Sequence, residues 1–236
     1  GPMHWMSLFK LFKPTKNNMS LPERLLRIKD SLPQHVTLVA VSKTKPVEDL
    51  MVAYRAGQRV FGENKAQEMT AKWSEMPKDI QWHMIGHLQS NKVKYIAPYV
   101  ALIHGVDRPE LLDEIEKQAK KNHRVIDCLL QVHIAQESTK FGWDPEELAL
   151  WATAKQLDAY SHVRIKGLMG MATFTSDEPQ IIQEFTSLKF VYDQLSKVHS
   201  HWDTLSMGMS QDYASAISCG STMVRIGSSI FGDRNY

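Results

Sequence analysis

Arg225 is a charged side chain inside an otherwise apolar run, and Lys43 ends another. Lys43 closes the apolar run VTLVAVSK, residues 36–43, and Arg225 sits inside MVRIGSS, residues 223–229, two positions before Gly227. A strand buried on both faces reads as an unbroken apolar stretch, and an unpaired guanidinium is costly to bury. Arg225 therefore needs either water or a dedicated acceptor. A strand-end lysine can simply be solvated, but an inward one is a nucleophile for a carbonyl carbon. Ser210 ends the run TLSMGMS, and Gly227, Ser228 and Ser229 follow Arg225. Hydroxyl donors beside a glycine that permits close backbone approach suit a phosphate. So does the helix expected from Gln211, with Ser210 as its N-cap.

Whether these groups meet depends on the elements that carry them. Eight short apolar runs recur along the chain: 36–43, 59–64, 81–86, 101–107, 125–134, 163–172, 204–210 and 223–232. Between them lie amphipathic stretches with helix signals. Pro46 stands at a helix N1 position with Glu48 and Asp49 behind it, and a helix runs to about Trp73 after the second strand. Pro109 opens another, with Leu111, Ile115 and Ala119 on one face and Asp113–Lys117 and Glu116–Lys120 as expected surface pairs. Further helices are expected over 144–157, 178–199 and 211–219, the last ended by Gly220. Alternating strand and helix implies a parallel sheet, and eight units fit a single-domain (β/α)8 TIM barrel of the α/β class. A doubly wound sheet is the rival. It would want a glycine-rich loop after the first strand, where this chain has SKTKP.

In a barrel, chemistry collects at the C-terminal ends of the strands. Val39, Val41 and Lys43 share one face of the first strand, so Lys43 points into the mouth if the valines fill the interior. Met223, Arg225 and Gly227 share the inward face of the last, with Val224 and Ile226 turned to the helices. The ends of strands 7 and 8 are a common phosphate site in barrels. A lysine, an inward arginine and a phosphate cradle are united by one cofactor, pyridoxal 5′-phosphate (PLP). Lysine holds its aldehyde as an internal aldimine, and arginine can meet its unprotonated pyridine nitrogen.

Composition narrows the alternatives. The chain has 236 residues, 43% hydrophobic and 23% charged, which is ordinary globular usage. A formal net charge of +2 is too small to argue for nucleic acid or an anionic membrane. Cys128 and Cys219 lie in apolar neighbourhoods and read as thiols of a reducing compartment, with no metal-binding spacing. The opening Gly-Pro reads as a tag-cleavage scar, and residues 1–19 as a loose extension ahead of a barrel over 20–236. No stretch is long enough to span a bilayer, and a cytoplasmic protein is expected.

The motifs VAVSKTKP, FGEN, WHMIGHLQSNK, STKFGW, GLMGMAT and LSMGMSQDYASAISCGSTMVRIGSSIFGDR, in this order, resemble the pyridoxal phosphate homeostasis protein family over about residues 21–234. Its members are single barrels similar to the N-terminal domain of alanine racemase, a fold-type III PLP architecture. The resemblance implies that Lys43 carries PLP covalently. It puts Ser210, Gly227 and Ser228 at the phosphate, Arg225 at the ring nitrogen and Asn64 beside the ring. Ser228 is a threonine in many relatives, which keeps the hydroxyl. It further implies a non-catalytic protein of vitamin B6 metabolism that buffers or delivers PLP and so influences amino- and keto-acid balance. Apo PLP enzymes are the expected recipients, and the protein is expected to be a monomer.

Two enzymatic readings stand beside that one. A minimal PLP-dependent amino-acid racemase would use Lys43 and one further base. A Schiff-base aldolase for a phosphorylated sugar would need no PLP. Against the first, a permanently protonated Arg225 leaves the pyridine neutral and a weak electron sink. The chain's end at Tyr236 is also expected to leave no room for the second domain of alanine racemases. His83 could line the pocket, but it and His87 are read first as packed or solvated, the methionines of GLMGMAT and SMGMS as barrel filling with Met207 able to touch the ring, and residues 117–124 as a solvated helix face.

Overall fold

The structure is a computed structural model, described here over residues 18–233. The expected N-terminal extension therefore falls outside the described residues, except for Asn18 and Met19. Eight parallel strands close into a barrel in sequence order: β1 (Thr37–Val41), β2 (Val60–Glu63), β3 (Gln81–Met84), β4 (Leu102–Val106), β5 (Ile126–Gln131), β6 (Val163–Met169), β7 (Thr204–Met209) and β8 (Met223–Ile226). Closure is made by β8 pairing with β1, in a register that sets Val39 opposite Arg225. The (β/α)8 expectation holds, and the doubly wound sheet is excluded.

Helices cover the outside: α1 (Leu21–Ser31), α2 (Val47–Arg55), α3 (Ala66–Glu75), α4 (Val93–Ile96), α5 (Pro109–Lys121), α6 (Pro145–Trp151), α7 (Ala154–Asp158), α8 (Glu178–Ser196), α9 (Tyr213–Ser218) and α10 (Ser228–Phe231). Strand alternation divides the apolar residues into two layers. Val39, Val41, Leu102, Leu129, Met169 and Met223 pack together inside the barrel. Leu38, Ala40, Phe61, Leu205, Met207, Val224 and Ile226 belong to the larger layer between strands and helices. Met207 thus faces the helices, and its expected contact with a cofactor ring is withdrawn.

Several local readings change for identifiable reasons. Helix α1 was not anticipated, although Ser20 accepts the Glu23 N–H at 3.3 Å and Leu25 and Ile28 are buried, an ordinary capped amphipathic start. The helix expected over 144–157 breaks in two, because Thr153 caps a new start by accepting the Gln156 N–H. On α5, Asp113 accepts the Tyr160 hydroxyl at 2.7 Å and Glu116 accepts the His162 N–H at 2.6 Å. These carboxylates tie α5 to the β6 side instead of pairing with Lys117 and Lys120. Cys128 is buried and Cys219 half-buried, both as free thiols. Among the described residues, no helix is long and apolar enough to cross a membrane.

Candidate cofactor site

A cleft of about 470 Å³ opens at the C-terminal mouth of the barrel, where β1, β7 and β8 end. Lys43, Lys45, Met209, Ser210, Gln211, Arg225, Gly227 and Ser228 line it. Five of the six residues singled out from the sequence are therefore in one cleft. Asn64 is the exception: it follows β2, packed against Gly86, and does not line the cleft.

Lys43 stands two residues beyond β1 in a turn, half-buried, on the face continued from Val39 and Val41. The turn is tight. Thr44, the next residue, has φ 63°, a left-handed conformation that a β-branched side chain disfavours. Lys45 reaches the cleft from the same loop, but its ammonium donates to the Asp233 carbonyl at 2.6 Å.

Arg225 is 2% exposed and points into the barrel. One of its terminal nitrogens donates to the Ser206 hydroxyl, and the other donates to the Gly170 carbonyl at 3.1 Å. Burial lowers its pKa to about 10, with the Asp212 carboxylate opposing the shift, so the side chain remains a cation at neutral pH. A guanidinium carries more N–H donors than these two bonds use. Arg225 also lines the cleft, where an acceptor would compensate a buried charge.

Behind Arg225 lies a polar chain that the sequence reading missed. Ser206 Oγ is 3.0 Å from His104 Nδ1, and His104 Nε2 is 2.9 Å from His83 Nδ1. Ser206 and His104 are fully buried and His83 nearly so. Burial depresses both histidines, His83 to about 3 and His104 well below its usual value, so both are neutral imidazoles. One arrangement accounts for all three bonds. Arg225 donates to Ser206, whose single hydrogen goes to His104 Nδ1, and the His104 Nε2–H donates to His83. Strand alternation could have found these residues, since His104 shares the inward face of β4 with Leu102.

The opposite wall is made where β7 and β8 end. A bulge between them, with Gly208 at φ 107°, sets Met209 rather than Gly208 opposite Arg225 and re-aims the residues that follow. Ser210 does not cap a helix as expected. Asp212 accepts the Met209 N–H at 2.7 Å, which folds Ser210 and Gln211 away from α9. The Ser210 hydroxyl oxygen instead accepts the Gly227 N–H at 3.3 Å. Its own hydrogen is not used in that bond and remains available to another acceptor. Gly227 has little room for a side chain, because a Cβ there would lie 3.1 Å from the Val41 carbonyl. Ser228 begins α10, whose first N–H groups have no carbonyl of their own helix to meet.

The donor set suits an elongated anion with an electrophilic carbon at one end: an amine, a buried cation with spare donors, and two hydroxyls beside free backbone N–H groups. Known proteins bear on that match. A family model of the alanine racemase N-terminal domain matches residues 19–235. The pyridoxal phosphate homeostasis protein of Pasteurella multocida is 42% identical over 206 residues, covering 85% of this chain and 88% of its own. This chain belongs to the pyridoxal phosphate homeostasis protein family. Among solved structures, PipY of Synechococcus elongatus with PLP bound superposes with a TM-score of 0.83 at 35% identity, over 90% of this chain and all of that one. An alanine racemase of Clostridium difficile is 14% identical with a TM-score of 0.73, and this chain spans 59% of its length, so that likeness concerns the barrel alone.

Proposed function

We propose that this member of the homeostasis family binds PLP in the cleft, covalently through the Lys43 amine, and acts as a carrier rather than an enzyme. The observation that carries the reading is the meeting of Lys43, Arg225, Ser210, Gly227 and Ser228 in one cleft. Family membership and the PLP complex of a 35% identical relative support it. PLP supplies an aldehyde conjugated to an electron-withdrawing ring. Everything else is set by this chain.

Ser210 and Ser228 donate hydroxyl hydrogens to the phosphate, and the N-terminal amides of α10 add backbone donors. Arg225 donates to the ring nitrogen and, remaining protonated at neutral pH, keeps its proton instead of passing it on. Its other contacts hold the guanidinium in place: Ser206 and the Gly170 carbonyl. A ring left neutral favours storage and release over stabilising a carbanion, so the racemase reading is not favoured. In this reading the barrel from residue 20 onward is the binding unit, Asn64 stands outside the cleft, and a cytoplasmic monomer passes PLP to apo enzymes.

The test is an absorbance spectrum with and without added PLP, followed by borohydride reduction and peptide mapping. A visible band that borohydride abolishes supports the reading. A protein that stays colourless with excess PLP overturns it.

A further inference from the structure

Lys43 is bracketed by two backbone bonds to one ion cluster. On its N-terminal side, the Ser42 carbonyl accepts a hydrogen from Lys72 Nζ at 2.8 Å. On its C-terminal side, the Thr44 N–H donates to Glu68 Oε2 at 2.7 Å. Lys72 and Glu68 stand one turn apart on α3 and are paired at 2.6 Å. Lys72 is paired also with Glu63, at the end of β2, whose side chain is fully buried.

A cluster of this kind is a poor way to stabilise a barrel. Desolvating buried charges commonly costs as much as their attraction returns, and apolar residues of equal volume would pack as well. Apolar residues could not, however, bond the peptide groups on both sides of Lys43. The turn needs such bonds, because Thr44 is held in the left-handed region at φ 63°. None of the three charged residues lines the cleft. Their route to it is the backbone of residues 42–44.

We infer that Glu63, Lys72 and Glu68 are positioning residues that fix the backbone around Lys43 and thereby aim its amine into the cleft. The inference rests on Lys43 being the amine that joins the cofactor. Glu63 holds Lys72, Lys72 holds the Ser42 carbonyl and Glu68, and Glu68 holds the Thr44 amide. The phosphate end of the cleft, on β7 and β8, is outside this arrangement. The cluster therefore acts on covalent capture of an aldehyde by the Lys43 amine, with loss of one water, and leaves reversible binding of the phosphate alone.

Glu68 is the residue to change, because its side chain is about a quarter exposed (26%) and sits on a helix surface. In the cofactor-free protein, Glu68→Ala should speed amide hydrogen exchange at Thr44 at least tenfold and leave Val39 and Val41 unchanged. Glu68→Gln, which keeps an acceptor, should restore most of the protection. Equal Thr44 exchange in wild type and Glu68→Ala overturns the inference whether or not PLP binds. For PLP itself, Glu68→Ala should weaken affinity tenfold or more when Lys43 is present and less than twofold in a Lys43→Ala background. Equal losses in both backgrounds would mean that the cluster supports the fold or the phosphate site, and the inference fails. A wild-type protein that binds no PLP defeats the proposed function, and Thr44 exchange then decides the anchoring by itself.

Discussion

The backbone N–H of Gly227 donates to the Ser210 hydroxyl oxygen over 3.3 Å, joining the end of β7 to the end of β8. This bond uses the Ser210 oxygen as acceptor and leaves its hydrogen available to a ligand in the cleft that Ser210 lines. Hydrogen bonds to charged groups contribute about 1.5–3 kcal/mol, or roughly ten- to a hundredfold in affinity. Ser210→Ala and Ser228→Ala should each weaken PLP by that much and pyridoxal, which lacks the phosphate, hardly at all. Titrations of both ligands decide it. Equal losses would mean that the serines hold the loops instead.

Lys43 and Lys45 both reach the cleft, and Lys43 is the one on the face continued from Val39 and Val41. Borohydride reduction of the PLP complex should mark the peptide containing both, with fragmentation placing the adduct on Lys43. Lys43→Ala should still bind PLP weakly and reversibly through the phosphate contacts. An adduct on Lys45 or Lys92 would contradict the assignment.

Arg225→Ala removes the donors to Ser206 and to the Gly170 carbonyl as well as a cation that lines the cleft. An unsatisfied buried group costs about 1–3 kcal/mol, so thermal stability should fall while the PLP colour persists. Arg225→Glu offers a carboxylate that can stabilise a protonated ring nitrogen. If it folds and stays coloured, it should exchange the Cα proton of a bound amino acid faster than wild type, measured by NMR in deuterated water. Robust racemase turnover by the wild-type protein would refute this account of Arg225.

The histidine pair predicts a pH dependence of folding. Burial holds His83 at about 3, whereas the unfolded side chain titrates near 6.5. Between those values the unfolded chain binds a proton that the native one refuses. Stability is therefore lost as pH falls from about 6.5 toward 3, at roughly 1.4 kcal/mol per pH unit for each such histidine. Urea unfolding at pH 7 and pH 5 should show His83→Gln losing about 2 kcal/mol less than wild type across that interval. Equal losses would show that His83 titrates normally inside the barrel.

Much of this was legible in residue order alone. Period-two alternation in VTLVAV and MVRI put Val39, Val41, Met223 and Arg225 on inward faces, and proline and glycine punctuation marked eight strand–helix units. Those signals are local: a strand's faces and a helix's start depend on neighbours a few residues away. The partners that engage the inward residues are not local. Arg225 meets the Gly170 carbonyl 55 residues earlier, and His104 meets Ser206 across 102 residues. Ser210 looked like a helix cap until Asp212 took the Met209 amide and freed its hydroxyl for Gly227. Glu63, Lys72 and Glu68 read as unremarkable charges in FGENKAQEMTAKW. Only the docking of α3 against the β1 and β2 ends made them a cluster around the Lys43 turn. Pattern decides which face a side chain takes, whereas barrel closure decides what it finds there, because closure brings together strand ends that the chain holds far apart.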